Sequence, residues 1–141
     1  MSVILKDRKS IRSFTILAVL AIFLGIYFSS KRIDYFYNFN INTVTRIEVQ
    51  SGNSGEVTIV EDKEQMKQIL DYLDTLSFRR KFSLPKSGWS YKISMYHGEG
   101  RLISMILKGN SECEIDGTKY SIHSDSDADF NDLYQSFIKV P

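Results

Sequence analysis

An uncharged stretch of eighteen residues near the N-terminus constrains this chain more than any other feature. It runs from Ser13 to Ser30 and reads SFTILAVLAIFLGIYFSS. As a helix it would be roughly 27 Å long, close to the thickness of a bilayer's hydrocarbon core. The sequence therefore predicts a transmembrane signal-anchor helix over residues 13–30, with a short leader before it and a larger region after it.

The charges beside this stretch indicate its orientation. The leader, residues 1–12, has four basic side chains and one acidic one. Flanks rich in Lys and Arg stay in the cytoplasm, so we expect a cytoplasmic N-terminus and an extracytoplasmic C-terminal region at the cell membrane. The alternative is a secretory signal that is cleaved, which would release the rest of the chain. Ile26, Tyr27 and Phe28 are too large for a typical cleavage site, which favours the uncleaved anchor.

The next segment, residues 31–43, is rich in aromatic side chains. Its rings are those of Tyr35, Phe36, Tyr37 and Phe39. Because rings with a polar tip favour the lipid headgroup layer, we interpret it as a juxtamembrane segment at the membrane surface. A stripe of rings that binds a partner beside the membrane is the alternative. Residues 44–141 then form the extracytoplasmic domain, which has room for one core.

This domain shows the two periodicities of secondary structure. Seven short apolar or alternating segments predict strands, at residues 44–50, 56–60, 78–84, 89–96, 101–107, 113–115 and 119–122. Apolar residues spaced three and four apart predict two helices, one beginning at Asp62 and one at Phe130. The order β-β-α-β-β-β-β-β-α with short turns predicts an α+β fold, in which two helices pack on a mainly antiparallel sheet.

A basic region is the most distinctive surface feature. Residues 79–108 contain seven Lys and Arg and one Glu, whereas residues 109–138 contain seven Asp and Glu and one Lys. If the fold separates these segments, the domain has two charged poles. The candidate residues for an anionic partner are Arg79, Arg80, Lys81, Lys86, Lys92 and Arg101, with Trp89, Tyr91 and Tyr96 as aromatic contacts.

Outside a cell, an anionic partner of this region would be a lipid or an acidic wall polymer rather than nucleic acid. The other interpretation is structural. Long basic side chains on a solvated strand face can cover apolar surface without binding anything.

An acidic run near the C-terminus has the beginning of a calcium loop. Asp125, Asp127 and Asp129 give D-x-D-x-D, but Phe130 and Ser136 stand where such a loop needs Gly and Glu. We therefore interpret the run as a solvated helix N-terminus, with weak calcium binding as the alternative. No cofactor is expected.

The histidines and the cysteine form no recognisable motif. His97 lies in a turn, while His123 and Cys113 lie in different predicted strands, and their spacing matches no metal or nucleophile site. A single cysteine also excludes a disulfide within the chain. The sequence therefore favours a non-enzymatic module that binds an envelope protein in an accessory, sensory or immunity-type role. An envelope enzyme with an unrecognised site is the alternative.

Four elements in order after a single span resemble a known group of domains. They are V-x-x-I-x-V at Val44–Val49, D-x-x-x-M-x-x-I-L at Asp62–Leu70, W-x-Y-x-I at Trp89–Ile93 and I-D-G-x-x-Y-x-I at Ile115–Ile122. Together they resemble the small membrane-anchored extracytoplasmic α+β domains of Gram-positive bacteria, most of which have no known function. The resemblance implies a domain outside the membrane and brings no catalytic residue with it. The lipid-anchored members have a lipobox Cys, which this chain lacks.

Overall fold

The first helix begins well before the uncharged stretch. The computed structural model describes residues 2–84 and 87–138, and α1 extends from Ser2 to Tyr27. Within α1, the 20 residues from Arg8 to Tyr27 are long and apolar enough to cross a membrane, a criterion that a signal sequence also meets. None of this stretch is buried against the domain. Its apolar side chains are exposed as those of a single membrane span would be.

An antiparallel sheet of eight strands forms the body of the domain. The strands are β1 (Lys31–Arg32), β2 (Arg46–Ser51), β3 (Val57–Val60), β4 (Leu76–Arg80), β5 (Tyr91–His97), β6 (Gly100–Lys108), β7 (Glu112–Ile115) and β8 (Thr118–Ser124). They lie in the order β1-β4-β8-β7-β6-β5-β2-β3. The predicted helices are α2 (Lys63–Asp74) and α3 (Phe130–Ile138). The α+β fold is confirmed, with eight strands where the sequence predicts seven.

The additional strand, β1, comes from the segment assigned to the membrane surface. Lys31 and Arg32 pair with β4 at the edge of the sheet. Directly after them Ile33 is fully buried, and the Phe36 ring packs edge-to-face on Phe78 with 5.4 Å between centroids. The folded domain thus includes residues 31–43. Two residues are too few to show the alternation of apolar and polar side chains that marks a strand in the sequence.

One face of the sheet packs against α2 and α3. Val49, Ile93 and Met105 are register partners across β2, β5 and β6, and all three are buried. The helices complete this core with Ile69, Leu73, Phe130 and Tyr134. The opposite side, which we call the outer face, carries Arg46, Lys92, Tyr96, Arg101 and Lys108. Successive residues of a strand therefore have different surroundings.

Strand β4 ends earlier than the sequence predicts. Its last register pair joins Arg80 to Tyr120 of β8. The start of β8 is set by the Asp116–Gly117 turn, where both residues have positive φ, 45° and 88°, as a two-residue hairpin requires. Residues 81–84 form a loop in which Phe82 and Leu84 are exposed.

Candidate functional site

A groove of about 670 Å³ opens between α2 and the segment that follows β1. We call it the α2 groove. One wall consists of Asp34, Tyr37, Ile41, Asn42 and Val44, and the other of Lys63, Met66, Lys67, Leu70, Asp71 and Asp74. Its volume is within the range of sites that hold small molecules, and it can equally receive side chains of a peptide.

Two short 3-10 helices shape the first wall. In the first, Ile33–Phe36, buried Ile33 and partly buried Phe36 belong to the core. The second, Ile41–Thr43, is capped by Asn40, whose side-chain oxygen accepts a hydrogen bond from the Asn42 N–H at 3.0 Å. Packing and capping therefore hold this wall in place.

The second wall exists because the apolar stripe of α2 is wider than the core can cover. The helix begins after Asp62, whose carboxylate accepts a hydrogen bond from the Gln65 N–H at 3.0 Å. Ile69 and Leu73 are fully buried in the core. Met66 and Leu70 are only half-buried, and both line the groove. They give the groove an apolar base.

The groove is lined by three carboxylates and two lysines, a net charge of −1. Lys67 forms an ion pair with Asp71, with 2.5 Å between Nζ and Oδ2. Asp74 is partly desolvated and lies near Asp71 and Asp34, so burial and then these two negative charges raise its pKa above the usual value. A cationic group in the groove would offset this repulsion.

Tyr37 presents an unusual hydroxyl in the first wall. This oxygen is buried and has no hydrogen-bond partner among the residues that the structure describes. Burial, followed by the charges of Asp74 and Asp34, raises the pKa of Tyr37 above its usual value. A buried hydroxyl without a partner costs free energy, so this wall is held at some cost in stability.

The groups best suited to catalysis lie elsewhere. Neither of the two histidines is among the residues described as lining the α2 groove, and Cys113 is not among them either. His97 Nδ1 is 2.7 Å from the carbonyl oxygen of Thr43, and His123 is exposed on β8. Cys113 is buried, and burial together with the Glu114 charge raises the pKa of its thiol.

Arg79 and Arg80, two of the residues predicted to meet an anionic partner, contact the end of α1. As neighbours in β4 they point to opposite sides of the sheet. The Arg79 Nε–H donates to the carbonyl oxygen of Phe28 at 3.0 Å. The Arg80 guanidinium donates to the Tyr27 hydroxyl at 2.6 Å. These two bonds fasten β4 to the C-terminal end of the apolar helix.

Lys92 and Arg101 lie on the outer face, away from the other two. They line a shallow depression of about 170 Å³ together with Glu114 and Asp116. Strands β7 and β8, from the acidic segment, lie between β4 and β6, from the basic segment, and Lys108 Nζ is 3.7 Å from a Glu114 oxygen. The basic and acidic segments of the sequence are thus interleaved and do not form two poles.

The remaining basic candidates belong to the loop after β4. Lys81 forms an ion pair with Glu112, with 2.5 Å between Nζ and Oε1. Lys86 lies outside the described residues. Within the described part of the chain, the predicted basic residues therefore occupy three surfaces. Arg79 and Arg80 lie beside the end of α1, Lys92 and Arg101 on the outer face, and Lys81 in the loop after β4.

The three aromatic candidates are also apart. Trp89 is exposed in the loop before β5. Tyr91 packs on the Phe130 ring with 5.1 Å between centroids. Tyr96 lies on the outer face, where the Arg46 guanidinium is 4.4 Å from its ring centroid. Tyr91 thus contributes to the core and Tyr96 to a local cation–π contact.

The acidic run before α3 has structural partners. Asp125 forms an ion pair with Arg32 of β1 at 2.6 Å. A carboxylate oxygen of Asp129 accepts a hydrogen bond from the Asn131 N–H at 2.9 Å, at the beginning of α3. Asp127 is exposed. Among the described residues, no group of three or more His, Cys, Asp or Glu could hold a metal ion.

The α2 groove itself was not predicted. Asp34 lies in a 3-10 turn and Tyr37 directly follows it, where the sequence has no regular period. Asp74 is distant from both in sequence. The one local signal is on α2, where Met66 and Leu70 extend the apolar stripe beyond the width that a sheet covers. Comparison of the chain with protein-family models, with curated proteins and with solved structures found no match.

Proposed function

We propose that this chain is a single-pass membrane protein whose C-terminal domain lies outside the cytoplasm and binds a protein partner through the α2 groove. The groove carries this proposal because it combines an apolar base with three carboxylates against two lysines. An accessory, sensory or immunity-type module needs such a binding surface and no catalytic group.

The charge of the groove defines the chemistry of the partner. Met66 and Leu70 provide a contact for an apolar side chain, while Asp34 and Asp74 favour a neighbouring cation. We therefore expect the partner to insert an apolar side chain next to a Lys or Arg. Mild acid that protonates Asp74 should weaken this binding.

The position of the groove favours a partner that is itself in the membrane. Its first wall follows β1 directly, and β1 follows α1 after three residues. Arg79 and Arg80 hold the sheet against the end of α1. If α1 crosses the bilayer, the groove lies close to the membrane surface, where it can meet the extracytoplasmic part of a neighbouring membrane protein.

Site-specific photocrosslinking in intact cells tests the proposed groove. A photoreactive residue at Asn42, on the groove wall, should capture a partner, whereas the same residue at Glu99, in the exposed β5–β6 turn, should not. Adding Met66→Asp should abolish capture at Asn42 without changing the level of the protein. Equal capture at both positions, or capture that survives Met66→Asp, would contradict the proposal.

Cysteine labelling of whole cells tests the orientation independently. Cys113 is buried, so a new cysteine at exposed Ser54 can be labelled separately from it. Ser54→Cys should react with a membrane-impermeant maleimide in intact cells. Labelling that requires permeabilised cells would place the domain in the cytoplasm and overturn the proposed topology. A labelled domain recovered in the medium would indicate cleavage.

A further inference from the structure

A second cavity lies where α1 meets the sheet. It has a volume of about 200 Å³ and is lined by residues of both parts of the chain. Phe23 and Ile26 of α1 form its apolar side, and Lys31 and Arg80 its basic side. Ser29 and Tyr120 also line it. We call this cavity the anchor pocket.

The two cations of the anchor pocket are held in place by aromatic rings. The Arg80 guanidinium carbon is 4.3 Å from the centroid of the Tyr27 ring. Lys31 Nζ is 4.7 Å from the centroid of the Tyr35 ring. A ring contact leaves the N–H groups that point away from it able to donate to a further acceptor. No acidic residue is among those described as lining the pocket, so the local charge favours an anion.

The depth of the pocket matches one kind of anion. In a membrane-spanning helix that ends at Tyr27, the Tyr27 ring lies at the interface between hydrocarbon and water. Phe23 and Ile26 lie within the preceding turn and face acyl chains, whereas Lys31 and Arg80 lie at the level of the headgroups. A ligand that fits both sides has a phosphate attached to a hydrocarbon chain.

We propose that the anchor pocket binds one phospholipid with an anionic headgroup, an inference that rests on α1 crossing the membrane as proposed above. Lys31 and Arg80 donate to the phosphate oxygens, and Phe23 and Ile26 contact the beginning of an acyl chain. Charge-assisted bonds of this type are the strong ones in proteins.

The loop after β4 adds a second contact with the membrane. Phe82 is 77% and Leu84 is 86% exposed. The Phe82 ring stacks on Tyr27 with 6.3 Å between centroids, so it lies at the same level as the helix end. Phe82 therefore reaches the interface beside the pocket, where it stacks on the last residue of α1.

Native mass spectrometry of the full chain in detergent tests the proposal. After delipidation, phosphatidylglycerol or phosphatidylcholine is added, and the fraction of protein that retains lipid is measured. The wild-type chain should retain phosphatidylglycerol and not phosphatidylcholine. Replacing Lys31→Gln together with Arg80→Gln should reduce retention at least tenfold, since each removes a charge-assisted bond. Lys31→Gln alone should have a smaller effect in the same direction.

A matched control removes the same charge from another surface. Lys92→Gln with Arg101→Gln on the outer face should leave phosphatidylglycerol retention unchanged. If this control loses as much lipid as the Lys31 and Arg80 variant, or if phosphatidylcholine is retained equally, the pocket is not specific and the proposal is wrong. Displacement of the lipid by millimolar inorganic phosphate would show that the pocket binds anions without recognising lipid. That result would also overturn the proposal.

Alkaline extraction of membranes separates this inference from the proposed function. If the chain resists extraction while its lipid retention does not depend on Lys31 and Arg80, the proposed topology stands and the lipid site is refuted. A chain that is released by alkali does not span the membrane, and both proposals fail.

Discussion

Replacing Phe36 with Ala should destabilise the whole domain, although Phe36 belongs to a segment that the sequence assigns to the membrane surface. Its ring is 5.4 Å from the Phe78 ring and 5.0 Å from the Tyr120 ring, both edge-to-face. Phe78 is fully buried and Tyr120 nearly so. Phe36→Ala therefore opens a cavity above two core rings and loosens one wall of the α2 groove.

The magnitude follows from the burial of the ring. Removing a fully buried Phe side chain costs about 3–5 kcal/mol, and each edge-to-face ring pair contributes roughly 0.5–1.5 kcal/mol of such a value. Because Phe36 is only partly buried, we expect a loss of about 2–3 kcal/mol in the free energy of unfolding. In a domain of this size that lowers the midpoint of thermal unfolding by about 10 °C.

Urea unfolding of the full chain in detergent micelles measures this loss. The protein has a single tryptophan, Trp89, in the loop before β5, and its fluorescence reports on the domain alone. Tyr35→Ala is the matched control, because the neighbouring Tyr35 ring is 66% exposed and its loss should cost under about 1 kcal/mol. If Phe36→Ala and Tyr35→Ala unfold alike and close to wild type, residues 31–43 are not part of the core.

Two further predictions concern the sheet. Gly52→Ala should lower the free energy of unfolding by about 3 kcal/mol in the same urea experiment, because the new Cβ would lie 1.9 Å from the Trp89 carbonyl oxygen. The control is Gly100→Ala, which should cost under about 1 kcal/mol because its Cβ would lie 3.5 Å from its nearest neighbour. Equal losses in the two variants would refute the contact at Gly52. Cys113 should not react with a maleimide at pH 8 in the folded chain, because burial and then the Glu114 charge raise the pKa of its thiol and suppress the thiolate. Mass spectrometry should detect labelling only after unfolding in urea. Rapid labelling of the native protein would contradict the burial of Cys113.

The elements with a regular period could be predicted from consecutive residues. The 3.6-residue spacing of Met66, Ile69, Leu70 and Leu73 identifies α2, and Asp62 marks its beginning, as the structure confirms. The Asp116–Gly117 pair identifies a hairpin because only a few residue types adopt positive φ. Such features depend on the chemistry of neighbours in the chain, which the sequence lists directly.

The surroundings of the charged residues could not be predicted in this way. Arg79 and Arg80 belong to one basic region of the sequence, yet each donates a hydrogen bond to a different residue at the end of α1. Lys92 and Arg101 read as part of the same cluster, yet they share a depression with Glu114 and Asp116. Strand order decides these contacts, and strand order depends on pairings between distant segments.

The sequence by itself determined an apolar N-terminal helix, an α+β domain and the order of its main elements, because hydrophobic period and turn chemistry are local properties. Only the tertiary structure decided that residues 31–43 pack on the domain, that this packing opens the α2 groove and that Lys31 and Arg80 meet beside α1. The physical reason is that burial is a collective property. A side chain's exposure, and hence its chemistry, is set by residues that the chain brings to it from far away in sequence.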